Sequence, residues 1–276
     1  MKTTYSLHKI EQEHYYPFNA NKYSWFKFGD TQFAAEFAAD LFAGFIEKYA
    51  AILIENENIV VLPSPYLSIP TASNFLCSYF KKHVDMFLFE NGKNASIESK
   101  IFRNQTYVTD YGNLCFEERV KLISNDTYYI DKDFIQDKLC IFVDDIKITG
   151  SHEHTINKIL DQYNVDGKFI FIYFAELVNK NIHPKIENHY NYFAVKTTND
   201  IIDVVNRKSF KFNTRIVKYI LKLSEFEFEF LVKKISKQKT DELFQLAISN
   251  NYHQMPAYKQ NINSLRIKSD FNKDLV

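Results

Sequence analysis

The chain has 276 residues, 46% of them apolar, and its 34 Lys and Arg balance 34 Asp and Glu. That length suits one large domain or a domain with an appendage, and the apolar share supports a sizeable core. Zero formal net charge gives no whole-protein reason to expect nucleic acid or an anionic membrane as partner.

The opening MKTTYSLHKIEQEHYY has no apolar core stretch, so a signal peptide is not expected. No apolar run approaches the ~18 residues that mark a membrane helix. Residues 31–50 place apolar side chains at 33, 34, 37, 38, 41, 42, 45, 46 and 49, a helical period, with Asp30 where an N-cap belongs. IVVLPSPYLSIPTA (59–72) predicts a short buried strand running into a proline-rich loop. Residues 71–92 predict a helix closed by Asn91-Gly92. Residues 96–130, around Asp110-Tyr111-Gly112, predict an irregular excursion with one or two hairpin strands. A strand over 139–143, a helix over 152–163 and a strand over 168–177 follow. The last strand, KFIFIYFAEL, is too apolar to face solvent on either side, which suits a parallel sheet covered on both faces.

After about residue 206 only helical patterns remain. Residues 213–223 repeat apolar side chains at 216, 219, 220 and 223, Ser224 to Glu227 form a capping box, and Thr240-Asp241-Glu242 begins a further helix. The expected organisation is an α/β domain over 1–205, with the excursion as a hood, and an all-helical extension over 206–276. Cys77, Cys115 and Cys140 lack CxxC spacing. The apolar settings of Cys115 and Cys140 predict reduced, buried thiols and a cytoplasmic protein.

The densest chemistry lies in LCIFVDDIKITGSHEHT (139–155), where an apolar strand runs into Asp144 and Asp145 and then a turn. In parallel α/β sheets ligands bind beyond the carboxyl ends of the strands. Acids at a strand end can hold hydroxyls or a cation, while the following turn and helix N-terminus favour an anion. Thr149 adds a hydroxyl, and Gly150 lets the backbone approach closely. A ribose phosphate matches both halves, with its diol on the acids and its phosphate in the turn. The plain alternative is a turn capped by two acids. A Walker-A loop and a GxGxxG fingerprint are both missing, which disfavours P-loop and dinucleotide-binding readings.

VDDIKITG resembles the PRPP-binding motif of type I phosphoribosyltransferases: an apolar strand, two acids, three residues, Thr-Gly. YSWFKFGD (23–30), LPSPYLSIPTA (62–72), FRNQTYVTDYGNLCFEER (102–119) and DDIKITGSHEHT (144–155) further resemble the ComF-like subfamily, which occurs in bacterial tellurium-resistance and stress gene clusters. The resemblance implies a phosphoribosyltransferase-like parallel sheet flanked by helices, with the helical extension included. It implies that PRPP (5-phosphoribosyl-1-diphosphate) or a nucleotide is bound with Mg²⁺. It implies transfer of the phosphoribosyl group to an unidentified nitrogenous acceptor, with release of pyrophosphate.

By the same resemblance, Asp144 and Asp145 hold the ribose hydroxyls directly or through Mg²⁺ and its water. Lys147, Ile148, Thr149, Gly150, Ser151, His152, Glu153, His154 and Thr155 cradle the 5′-phosphate. Ser64, Pro65 and Tyr66 fall where the family binds pyrophosphate, often through a cis peptide. Arg103, and less so Arg119, would close the hood over the pyrophosphate, Arg being suited to bidentate phosphate contacts.

Two departures from the general motif matter. His152 replaces a Thr common two residues after the Gly, and Ile148 replaces the acid that 6-oxopurine salvage enzymes carry before the motif Thr. The second disfavours hypoxanthine or guanine as acceptor.

Ser151-His152-Glu153-His154 does not read as a zinc site, because His152 and His154 point about 200° apart on a helix. Residues 206–239 hold ten Lys or Arg against three Glu. This predicts a solvated basic face, with nucleic acid the less expected partner. A regulator that senses PRPP or a nucleotide without catalysis is the second functional reading. The sequence leaves the oligomeric state open, a homodimer included.

Overall fold

The computed structural model describes residues 1–103, 114–115, 117–118 and 128–269. Asp110, Tyr111 and Arg119 lie outside the described residues. So does most of the expected hood.

Five parallel strands form one sheet in the order β1-β7-β6-β2-β3. They are β1 (Lys2–Ile10), β2 (Ile59–Pro63), β3 (Ile97–Glu98), β6 (Lys138–Lys147) and β7 (Gly167–Leu177). A separate antiparallel pair, β4 (Phe102–Arg103) with β5 (Tyr128–Tyr129), lies within the expected excursion, whose first residues instead join the main sheet as β3. The α/β class read from the sequence is the observed one.

The central strands explain their own apolar runs. Leu139, Ile141 and Val143 pack with α2 (Thr31–Glu55) and α3 (Ala72–Glu90) on one face. Cys140 and Phe142 pack with Ile156, Ile159 and Leu160 of α5 (Ser151–Gln162) on the other. Successive side chains of a strand alternate faces, so a strand covered on both sides must be apolar throughout. Asp30 caps α2 by accepting from the Gln32 N–H at 3.0 Å, as its position predicts.

β1 is a strand that the polar opening sequence does not announce. It pairs with β7 from Lys2↔Phe169 to Ile10↔Leu177, and as an edge strand it buries only part of its length. Gly44 lets α2 lie against it, because a Cβ there would collide with the Tyr5 hydroxyl and stand 2.7 Å from Leu7 Cδ1. α1 (Ala20–Lys27), a short helix before α2, is another element the sequence left unmarked.

A short turn of helix, α4 (Lys132–Ile135), precedes β6. Beyond β7 come α6 (Ile186–Asn191), α7 (Thr198–Val205), α8 (Thr214–Leu221), α9 (Glu225–Val232), α10 (Lys237–Ser249) and α11 (Lys259–Lys268). Ser224 and Glu227 make the expected capping box. α10 starts at Lys237 behind the Ser236 cap, three residues before the predicted start, because Ser236 Oγ takes the Lys239 N–H. Of these, α7 to α11 share a second core with Phe28 and Ile69, while Ile186 and Tyr190 of α6 pack into the sheet core. Thr214 Oγ1 donates to the Ile69 carbonyl at 2.8 Å, and Asn213 Nδ2 donates to the Lys27 carbonyl at 3.1 Å. The helical region is thus seated on the loop after β2 and on the end of α1.

Cys77 and Cys140 are buried free thiols, and burial pushes Cys140 up to about 12. Cys115 is only half-buried, so the expectation of a buried thiol fails there. Among the described residues no helix is long and apolar enough to cross a membrane.

Candidate active site

From β2 the chain passes through α3 outward to β3 and returns as β6 on the other side of β2. This reversal makes a switch point between the carboxyl ends of β2 and β6, where open α/β sheets bind ligands. Pro63 pairs with Val143, so Ser64 stands level with Asp144 across that crevice.

The two acids face different surroundings. Asp144 Oδ2 lies 3.4 Å from His152 Nδ1, and its Oδ1 accepts the Asp145 N–H at 2.9 Å. Burial alone would raise Asp144, but the hydrogen bond and charge of His152, with Asp145 and Ser64, hold its carboxyl well below the usual range. Asp145 is 5% exposed. It pairs with Lys27 at the end of α1 and accepts from the Tyr23 hydroxyl at 3.0 Å. Burial pushes Asp145 up, and the charge of Asp144 adds to this, against the pull of Lys27. Asp144 is therefore the more accessible of the two acids, and Asp145 is anchored from behind.

The turn after β6 closes the site. Gly150 has φ +73°, a left-handed conformation that glycine adopts without steric cost, and it starts α5. Thr149 and Ser151 hydroxyls are 3.1 Å apart. Glu153 in the first turn accepts from Tyr173 at 2.9 Å and Thr4 at 3.1 Å, and pairs with Lys147 at 2.8 Å. Lys147 also approaches Glu176 at 3.5 Å, so its charge is shared with two carboxylates.

A cavity of about 530 Å³ opens over these groups. Of the expected residues, Ser64, Pro65, Arg103, Asp144, Asp145 and all of 147–153 line it. Three lie off it. Tyr66 forms a bridge with Phe102 and carries Lys100 Nζ 3.8 Å over its ring. His154 is exposed, and Thr155 donates its hydroxyl to the Ser151 carbonyl at 2.9 Å. The described residues contain no cis peptide bond, so the Ser64–Pro65 bond is trans.

The cavity has a second wall. Thr71 to Ser73 bring the N-terminal turn of α3 to it, so two helix N-termini converge on one space. Arg215, Lys218 and Lys222 line it from α8 and the residue that follows, with Tyr192 and Tyr219 beside them. The solvated basic face expected for residues 206–239 is therefore in part a cavity wall. The i, i+3, i+7 spacing of these cations shows that they share a helix face, but not what that face meets.

The sequence matches the PRTase ComF-like family over residues 1–265. The chain belongs to that family. The matched span of this ComF-like chain takes in the helical region as well as the sheet, so the α8 wall lies within it. No curated protein matches the chain.

A phosphoribosyltransferase-like fold raises the question of Mg²⁺. Among the described residues no cluster of three His, Cys, Asp or Glu could hold a metal ion unaided. Mg²⁺ commonly takes one or two carboxylates and completes its shell with substrate phosphates and water. Asp144 at the cavity face fits that role, provided the phosphates come with the substrate.

Proposed function

We propose that the protein binds PRPP with Mg²⁺ and transfers its 5-phosphoribosyl group to a nitrogenous acceptor, releasing pyrophosphate. The observation that carries the proposal is the meeting of Ser64, Asp144 and the Gly150-led helix start in one cavity at the switch point. An acid next to a helix N-terminus suits a ligand with hydroxyls at one end and phosphate at the other.

In this reading Asp144 takes the ribose hydroxyls and holds the metal, with Asp145 behind it through water. Amides of 149–153 and the hydroxyls of Thr149 and Ser151 cradle the 5′-phosphate. Ser64, Pro65 and the first turn of α3 receive the diphosphate, with Arg103 closing over it. Mg²⁺, when bound, neutralises charge on the leaving diphosphate. The acceptor nitrogen forms its bond to C1 as the C1–O bond breaks, and that electron pair leaves on the diphosphate. A proton, where the nitrogen carries one, passes to water. Fixed donors around the ribose and phosphates supply orientation and charge stabilisation, so no covalent nucleophile on the protein is needed. A role in tellurium resistance or stress belongs to the same proposal and rests on the resemblance alone.

The pairing of Asp145 with Lys27 favours a second reading, a regulator that binds PRPP or a nucleotide without turnover, because it engages one of the two acids in an internal ion pair. Pyrophosphate release, followed across a panel of nitrogenous bases and amines with PRPP and Mg²⁺, separates the two. Release with any acceptor supports the transferase. Tight PRPP binding with no release across the panel supports the regulator.

A further inference from the structure

The phosphoribosyl reading accounts for one wall of the cavity and leaves the other without a task. That other wall is cationic and aromatic. Arg215, Lys218 and Lys222 line the cavity from one helical face, spread over roughly 10 Å of axis. Tyr192 and Tyr219 line it alongside, both packed edge-on against the buried Phe28 at centroid distances of 5.5 and 5.8 Å. The guanidinium of Arg215 sits 5.6 Å from the Tyr192 ring centre. Asn213 caps α8 through the Arg215 and Ile216 N–H groups, which fixes the helix in place. The helix and the two rings of this wall are thus anchored from behind.

Aromatic rings anchored from behind offer a face for a flat ring, and cations at their rim offer partners for an anionic substituent. Glu227 and Glu187 also line the cavity, so the wall is mixed in charge with cations in excess. We propose, on the basis of the phosphoribosyl reading, that the α8 wall is the acceptor subsite. The acceptor is then a flat nitrogenous ring that carries a carboxylate or phosphate. The same cations could serve a different source of anionic oxygen, the diphosphate of PRPP itself, and the test separates the two.

The probes are two matched pairs of rings that differ in charge, nicotinate with nicotinamide and orotate with uracil. Their binding to protein loaded with PRPP and Mg²⁺ is followed by ligand-observed NMR. PRPP affinity is measured separately by calorimetry. Wild type, Lys218→Met/Lys222→Met and Lys218→Arg/Lys222→Arg are compared. The two lysines are half-buried and exposed, so neither substitution disturbs the core.

The expected result is that at least one anionic ring binds ten-fold or more tighter than its neutral partner. The Met variant loses that preference, the Arg variant keeps it, and PRPP affinity stays within about two-fold throughout. Equal binding of charged and neutral rings, or no binding of any of the four, overturns the proposal. So does a collapse of PRPP affinity in the Met variant, which assigns the cations to the diphosphate. If wild type binds no PRPP yet unloaded protein still prefers the anionic rings in a lysine-dependent way, the anion subsite stands and the phosphoribosyl reading fails.

Discussion

Lys27 and Asp145, 118 residues apart, form a buried ion pair directly behind the cavity-facing acid. The pair joins the end of α1 to the strand that carries the motif. The Lys27 carbonyl in turn receives Asn213 from the helical region. One lysine therefore ties the acid pair to the segment that supplies the second wall.

Removing one member of such a pair leaves an uncompensated buried charge, at a cost of about 3–5 kcal/mol. Lys27→Met should lose stability of that order in urea denaturation. Lys27→Met/Asp145→Asn should recover most of it, since an amide still accepts from the Tyr23 hydroxyl. A double variant as unstable as the single one would show that Lys27 acts through packing and not through Asp145.

Gly150→Ala should destabilise the chain by about 1–2 kcal/mol, the cost of a left-handed backbone for a residue with a Cβ. The added Cβ would meet only Lys147 Cε at 3.4 Å, so strain and not collision is the cause. PRPP affinity should fall along with the melting temperature, because the same turn aims the α5 amides. Unchanged affinity would remove that turn from the phosphate site.

Much of this site is legible in the sequence. An apolar run into Asp144-Asp145, followed by Thr149-Gly150, marks a strand and a glycine turn in one stretch of chain. The strand expected over 139–143 nevertheless continues through both acids to Lys147, because its pairing with β7 runs on. What is not legible is what each acid faces. The Lys27–Asp145 pair spans 118 residues, and no local spacing reports it. His152 resembles a substituted phosphate ligand by position, yet its imidazole meets Asp144 because the first turn of α5 folds back over the strand end. β1 escapes notice because an edge strand needs few apolar residues. The cations of α8 announce a common face, but contacts distant in sequence, such as Thr214 on the Ile69 carbonyl and Asn213 on the Lys27 carbonyl, seat the helix whose face lines the cavity.

Glu176 gives a pH prediction. Burial acts to raise it, but hydrogen bonds from Lys9 and Ser6 and the charge of Lys147 leave it below its ordinary value. A depressed carboxylate contributes stability above its unfolded pKa of about 4.3 and loses it as pH falls through the lower folded value. Wild-type stability should therefore drop in that acid window. Glu176→Gln should show a shallower drop there and a lower plateau near neutrality. Parallel curves for the two proteins would contradict the assignment.

The boundary between an α/β domain over 1–205 and a helical extension over 206–276 can be tested by cutting the chain after residue 205. Val204 and Val205 pack in one core with Ile216, Ile220 and Leu265, and Phe28 and Ile69 join them. The shortened chain would expose these side chains, so it should be insoluble or bind hydrophobic dyes strongly. A shortened chain that melts cooperatively near the full-length temperature would show that the sheet domain stands alone.

The most direct test of the central claim is calorimetric titration of PRPP, with and without Mg²⁺, into wild type and Asp144→Asn. The predicted result is Mg²⁺-dependent binding to wild type that falls by at least ten-fold in the folded variant. Equal affinity in both proteins, or no binding to folded wild type, would contradict the account.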